Sequence, residues 1–262
     1  MRARQEGAGR LKELTVVFDN VPGVPGLITG WGFAAVVRGY GRTVLFDAGS
    51  DGATLLSNLR ALSIVPKSID LVVLSHAHAD HAGGLPEFLS VAPGVELIVP
   101  DSLPKRLVEA IEATGVGFRT ADPGEELADG VTTTGSLPGK QIEQGLILAG
   151  HDGPALVTGC AHPGVQTMLK EAARVAGSPV GTLIGGFHLH AFRKGSVRAT
   201  AAELREMGLE RIAPSHCTGD RATTILADEF GEGFIESGLG RSIVLDDEGK
   251  GGGSPGSGSR EA

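Results

Sequence analysis

The segment His76-Ala-His78-Ala-Asp80-His81 places four potential metal ligands within six residues. Neutral imidazole and carboxylate suit zinc and its first-row neighbours. His76 and His78 stand two apart, so in an extended or turning loop both can face one cation. Asp80 and His81 lie just beyond and can face a second. A single histidine is more often a satisfied core or surface residue, but packing does not account for four ligands in so short a run. The expected cofactor is therefore one or two metal ions, zinc by default, with manganese or iron also compatible. An ion held this way lowers the pKa of bound water toward ~7, so a metal-bound hydroxide becomes available to attack an electrophile near neutral pH.

These residues need a rigid base. The apolar run Asp70–Leu74 reads as a buried strand and ends directly on Ser75-His76. Three other histidines also follow strands: His162 after Ala155–Thr158, His188 after Val180–Ile184, and His216 after Ile212–Pro214. Side chains at strand ends can converge on one rim of a sheet. Further strands are expected at Leu14–Asp19, Phe33–Val37, Thr43–Phe46, Val95–Val99, Val131–Thr134, Gly145–Ala149 and Arg241–Leu245. Helices are expected at Asp51–Ala61, Pro104–Ala113, Gly164–Ala176 and Val197–Met207. Asp152-Gly153 marks a hairpin turn. Early strands run consecutively and later ones alternate with helices. That order predicts an α/β protein of sheets covered by helices, not a simple doubly wound parallel sheet.

The bulk numbers fit one domain. Of 262 residues, 41% are hydrophobic but only 4% aromatic, so the core must be aliphatic. A net charge of -8 disfavours a nucleic-acid partner. Two cysteines are too few for a disulfide scaffold and fit a reducing, cytoplasmic setting. No apolar h-region opens the chain and no run is long enough to span a membrane. Residues 1–10 read as a loose N-terminus, 11–247 as a single domain, and the Gly/Ser-rich 248–262 as a disordered tail. The sequence carries no signal for oligomeric state.

The hexad resembles the signature of the metallo-β-lactamase fold superfamily, and Asp47 in Leu45-Phe46-Asp47-Ala48-Gly49 resembles the aspartate that precedes it. Several later motifs resemble the branch named for the dihydropterin–ribofuranosylaminobenzene-phosphate synthase of methanogens. These are Asp19-Asn20, Gly32-Phe33, Gly159-Cys160-Ala161-His162-Pro163-Gly164, Gly185-Gly186-Phe187-His188-Leu189 and Pro214-Ser215-His216-Cys217-Thr218-Gly219. The resemblance spans about Leu14 to Leu245. It implies a four-layer αββα sandwich with metals at one edge between two sheets. It further implies His76, His78 and His162 on one ion, and Asp80, His81 and His216 on the other. Many relatives supply a bridging aspartate after a late strand; here His188 occupies that region. An imidazole nitrogen cannot bridge two ions as a carboxylate can, so His188 is expected to bind one metal or to hydrogen-bond the substrate.

Asp47 is expected to orient a ligand histidine or its loop. Cys160 and Cys217 adjoin proposed ligands and can in principle bind zinc, but small buried hydrophobes are the favoured reading. His190 can line the pocket. Arg193 and Lys194 can neutralise an anionic group, although an exposed basic turn is favoured, and His151 is expected at the surface. Trp31 and Phe187 either flank the pocket or belong to the core.

The function that follows is metal-assisted hydrolysis of a phosphoester, ester, lactone or amide in a small molecule, neutral or anionic, with Asp80 and His188 as catalytic groups. The branch resemblance implies an alternative, transfer of a pterin-methyl group to an arylamine. A non-catalytic metal-binding domain is a third reading.

Overall fold

The computed structural model describes residues 11–246; the expected loose N-terminus and disordered tail lie outside the described residues. Strands β1 (Lys12–Asp19), β2 (Phe33–Tyr40), β3 (Arg42–Phe46), β4 (Leu71–Val73), β5 (Glu96–Ile98) and β12 (Ser242–Asp246) form one sheet in the order β12-β1-β2-β3-β4-β5. The second sheet runs β11-β10-β9-β8-β7-β6. Its strands are β6 (Glu126–Ala128), β7 (Val131–Thr133), β8 (Leu146–Leu148), β9 (Ala155–Thr158), β10 (Thr182–Gly186) and β11 (Arg211–Ser215). The helices are α1 (Gly52–Ala61), the short α2 (Ala79–Ala82), α3 (Leu85–Val91), α4 (Lys105–Glu112), α5 (Val165–Ala176), α6 (Lys194–Glu206) and α7 (Asp220–Phe230).

Alternation along the strands sorts the apolar residues into layers, because successive side chains point to opposite faces. In β2, Phe33, Ala35 and Val37 face the space between the sheets, while Ala34 and Val36 face outward. In β4 and just past its end, Leu71 and Val73 take the inner side and Val72 and Leu74 the outer. Inner residues of both sheets, among them Leu14, Phe46, Val131, Leu146 and Val157, form one central core. The outer face of the first sheet packs on Leu55, Leu59, Phe88 and Ile111 of α1, α3 and α4. The outer face of the second packs on Met168, Leu169, Val197, Leu204 and Leu226 of α5, α6 and α7. The result is the αββα sandwich, with a core as aliphatic as the composition requires.

Most expected elements form within a few residues of their expected bounds. Asp51 caps α1, accepting from the Thr54 amide at 2.7 Å. Three differences matter. Helix α7 fills the stretch 220–230, which carries no element in the sequence reading; Ala222, Ile225, Leu226 and Phe230 are its buried stripe. Helix α3 and strand β6 were likewise not expected. Strand β10 runs on through Gly185 and Gly186, so His188 starts farther along the sheet edge than a strand ending at Ile184 implies.

Strand direction positions the site. β1 and β3 are both antiparallel to β2, and β3, β4 and β5 are mutually parallel. β9, β10 and β11 are parallel in the other sheet. The C-terminal ends of β1, β3 and β4 deliver Asp19-Asn20, Asp47 and Ser75-His76. Those of β9, β10 and β11 deliver Cys160 and His162, His188, and His216.

Candidate metal centre

Two groups of ligands face each other. The rings of His76, His78 and His162 lie 4.6–4.8 Å apart, centroid to centroid. In the second group the His81 and His216 rings are 5.0 Å apart, and Asp80 Oδ2 lies 3.3 Å from His216 Nε2 and 3.9 Å from His81 Nε2. The groups adjoin, since the His76 and His81 rings are 4.1 Å apart. All six residues that the family resemblance assigned to two ions therefore converge, although they come from three distant segments. His76, His81 and His216 are buried, Asp80 and His162 are partly buried, and His78 is exposed.

Each buried imidazole is held from behind. His81 Nδ1 donates to Asp47 Oδ2 at 2.6 Å. Ser75 Oγ donates to Asp47 Oδ2 at 2.7 Å and so can only accept from His76 Nδ1, at 2.9 Å. His162 Nδ1 donates to Glu143 Oε2 at 2.9 Å, and His216 Nδ1 to Asn20 Oδ1 at 2.7 Å. With the proton on Nδ1, every Nε2 turns a bare lone pair inward, the arrangement that fixes a metal-ligating tautomer. His76 Nε2 and His216 Nε2 are buried and have no hydrogen-bond partner. Orphaned buried acceptors of this kind are rare in proteins; a cation beside each satisfies it, so the donor set fits divalent metal.

Electrostatics agree. Burial, reinforced by the neighbouring His81, depresses His76 to about 3, and burial together with His216 depresses His81 to about 3. Both are neutral, as ligands must be. Burial opposes ionisation of Asp80, but the adjoining imidazoles of His216 and His81 hold it well below the usual carboxylate range. Burial pushes Asp47 up to about 7, against the pull of His76 and Ser75.

Glu143 is the residue that sequence reasoning missed. It is fully buried and accepts from the backbone amides of Gly159, Cys160, Ala161 and His162 at 2.8–3.0 Å, as well as from the His162 ring. Burial alone would raise its pKa; the hydrogen bond from His162, the charge of His76 and the backbone amides instead lower it to about 2. The carboxylate thus winds the chain after β9 into the turn that presents both Cys160 and His162. That turn also needs glycine at 159, where a Cβ would sit 2.2 Å from Ser75 Oγ. Ser75 and Asn20 were also unassigned. Among the described residues, the non-glycine positions with positive φ are Asp47, Ser63, Ala161, His188 and His216. All but Ser63 lie at the centre, in keeping with strain gathered at functional sites.

His188 stands at the edge of the centre: its ring lies beside that of His162, 4.9 Å away, and it is exposed at the rim, in one candidate ligand group with Cys160 and Cys217. The longer β10 carries it past the junction, and its backbone amide donates to Cys217 Sγ at 3.3 Å. Hydrogen bonding to Cys217 raises the His188 pKa. The atom between the groups is Cys160 Sγ, 3.2 Å from His81 Nε2, so Cys160 is not merely a small buried hydrophobe. Trp31 is 57% exposed, with its ring 5.0 Å from that of His216 beside the centre. Phe187 is core. His190 stands at the rim beside His188, Arg193 and Lys194 are exposed at the start of α6, and His151 is exposed at its hairpin.

Residues 32–216 match the family model of the metallo-beta-lactamase superfamily. The chain belongs to this superfamily. It is 29% identical over 251 residues to the 7,8-dihydropterin-6-methyl-4-(beta-D-ribofuranosyl)-aminobenzene-5'-phosphate synthase of Methanocaldococcus jannaschii, covering 79% of this chain and 85% of that one. Among solved structures, Tm1679, a metal-dependent hydrolase of the beta-lactamase superfamily, aligns with a TM-score of 0.74 at 24% identity over 90% of this chain and all of that one. The metallo-beta-lactamase fold protein YhfI of Bacillus subtilis aligns with a TM-score of 0.66 at 16% identity, with the same coverage of both chains. No helix among the described residues is long and apolar enough to cross a membrane.

Proposed function

We propose that this superfamily member is a metal-dependent hydrolase acting on a phosphoester, ester, lactone or amide bond of a small molecule. The observation that carries the reading is the set of imidazoles whose outer nitrogens are tied to Asp47, Ser75, Glu143 and Asn20, leaving their inner nitrogens bare around one point. His76, His78 and His162 would hold one ion, and Asp80, His81 and His216 the other. When bound, such ions acidify water and polarise the scissile bond.

The protein's own groups supply the rest. Asp47 and Glu143 keep the ligand rings from turning, so the site is organised before substrate arrives. Asp80, half-buried and ionised, could act in proton transfer only while it is not tied to a metal ion. His188 stands at the rim with a raised pKa, able to give a proton to a departing group. Trp31 offers an apolar face to the substrate beside His216. Hydrolysis of a panel of phosphodiesters, esters, lactones and amides by the metal-loaded protein should fall to background in His76→Ala/His78→Ala. Equal rates in the two proteins would sink the reading.

A second reading is favoured by one observation, the likeness to the methanogen synthase along most of both chains. In it the same ligands would bind a pyrophosphate leaving group while an arylamine displaces it. Incubation with a pterin-methyl pyrophosphate and an arylamine phosphate, followed by mass spectrometry, separates the two. A condensation product supports transfer; the hydrolysed pterin alcohol alone supports hydrolysis.

A further inference from the structure

Ligand-bearing atoms at the centre fall into overlapping sets, each with all members within 4.8 Å of one another. One set is His76, Cys160 and His162; another is His81, Cys160 and His216; a third is Cys160, His188 and Cys217. Two ligands on one zinc ion stand no more than about 4.6 Å apart, since each bond is about 2.0–2.3 Å. A fourth set is His76, His78 and Asp80, so the Asp80 carboxylate also reaches both ligand groups; among the sulfur atoms, Cys160 alone joins a histidine pair from each group. Its sulfur is buried, 3% exposed at the residue level, and lies 3.2 Å from His81 Nε2. His76 and His216, whose Nε2 atoms are buried without a partner, belong one to each of the two histidine sets.

We propose that Cys160 is a metal ligand, its thiolate sulfur shared between the two metal positions in the place where a carboxylate would otherwise bridge. The inference rests on the metal-centre reading above and names one more member of that centre. An imidazole nitrogen offers one lone pair, so none of the surrounding histidines can serve two ions. A thiolate sulfur has several lone pairs and can. Its place is built into the fold: the amides of Gly159, Cys160 and Ala161 are all clamped by Glu143. The second cysteine does not compete for the role. Cys217 Sγ accepts the His188 amide and shares a set with neither His76 nor His216. A shared thiolate also selects among metals. Sulfur favours zinc, iron and cobalt over manganese and magnesium, so the centre is expected to prefer zinc to manganese more strongly than a site of imidazoles and carboxylates alone.

Zinc K-edge X-ray absorption on the zinc-loaded full chain tests this directly, without relying on activity or on a variant that must fold. A sulfur shell near 2.3 Å is expected. The shell should persist in Cys217→Ser and vanish in Cys160→Ser and Cys160→Asp. By elemental analysis, Cys160→Ser should lose about half of the bound zinc, whereas Cys160→Asp, which restores a bridging carboxylate, should keep it. Cobalt-loaded protein should show a thiolate-to-cobalt charge-transfer band with the same dependence on Cys160. A fully zinc-loaded wild-type protein with only nitrogen and oxygen scatterers would overturn the thiolate ligand while leaving the hydrolase reading standing. A shell that follows Cys217 would do the same. Failure of the wild-type chain to bind zinc at all would overturn both.

Discussion

Strands β3, β4 and β5 end in two different kinds of polar chemistry. At their N-terminal ends Arg42, Glu96, Arg119 and Glu125 form ion pairs of 2.7–2.9 Å, with side chains one-third to one-half exposed. At the opposite ends of β3 and β4, Asp47, Ser75, His76 and His81 are completely buried, and Glu143 is buried with them. Distances are alike in the two networks; burial is not. Exposed pairs exchange water for one another and contribute little. Buried groups have given up water altogether, so each depends on its partners, and any that lacks one is poised for a ligand. The contrast separates polar residues that decorate a sheet edge from those that a metal centre requires.

Glu143→Ala should break the comparison most severely. It removes one acceptor from four backbone amides and one imidazole, all with little access to water. Loss of about 4 kcal/mol of stability is expected for the metal-free protein, by analogy with breaking a buried charged network, measured by urea denaturation. Because the same turn presents Cys160 and His162, metal affinity should collapse with it. A variant of near wild-type stability would show that water replaces the carboxylate and that the site is wetter than its burial implies.

The same carboxylate predicts a pH effect with a definite sign. Glu143 has a folded pKa of about 2 against an ordinary value of 4.5. A depressed carboxylate stabilises the fold above its unfolded pKa and ceases to do so as pH falls through the folded one. Metal-free protein should therefore lose on the order of 3 kcal/mol between about pH 4.5 and 2 from this group. His76 and His81, depressed from 6.5 to about 3, begin the loss earlier, from about pH 6.5 down to 3, since the unfolded chain binds the protons they refuse. Glu143→Gln should be less stable at neutral pH and show a flatter decline. An unchanged slope would assign the acid sensitivity to the histidines instead.

What was legible in the sequence follows the same division. The hexad at 76–81 announces itself because its ligands crowd into six residues. His162 and His216 could be joined to it through their places after strands and through family resemblance. The sandwich was legible through the same resemblance, and the unbroken apolar runs of β2 and β4 reflect burial on two faces. Glu143, Ser75 and Asn20 have no such local signal: each is an isolated polar residue whose role depends on a partner supplied by the fold. Glu143 lies 19 residues from His162 in a stretch without periodicity. Cys160 was read as bland because a cysteine beside a histidine is common, and only the meeting of β4 with β9 shows what surrounds its sulfur. The strand before His188 was read two residues short because two glycines, usually the end of a strand, here continue β10.

A subtler change probes how far the outer partners act through the ligands. Asp47 accepts from the Ser75 amide at 2.7 Å on one oxygen, and from Ser75 Oγ and His81 Nδ1 on the other. Asp47→Asn keeps the shape but turns an amide donor toward one of these donors. Metal affinity should fall about 10–100-fold, read by competition with a chromophoric chelator, with a smaller effect on the stability of the metal-free protein. If affinity is unchanged, packing alone orients His81.

The smallest effect is expected at the far end of the same strands. Glu96 accepts from Arg42 at 2.9 Å and from two nitrogens of Arg119 at 2.8 and 3.1 Å, so on distance alone it rivals Glu143. Its side chain is 36% exposed, and so is open to solvent and salt. Burial opposes its ionisation, but hydrogen bonds from Arg119 and Arg42 together outweigh it and hold its pKa below the ordinary value. Glu96→Gln should cost less than about 1 kcal/mol and should leave metal binding unaltered. That small cost should shrink further as salt is raised, because exposed charges are screened over roughly 10 Å at 0.1 M. A cost comparable to that of Glu143→Gln, or one insensitive to salt, would mean that exposure does not separate the two ends of these strands, and that partner geometry alone sets the energy of both networks.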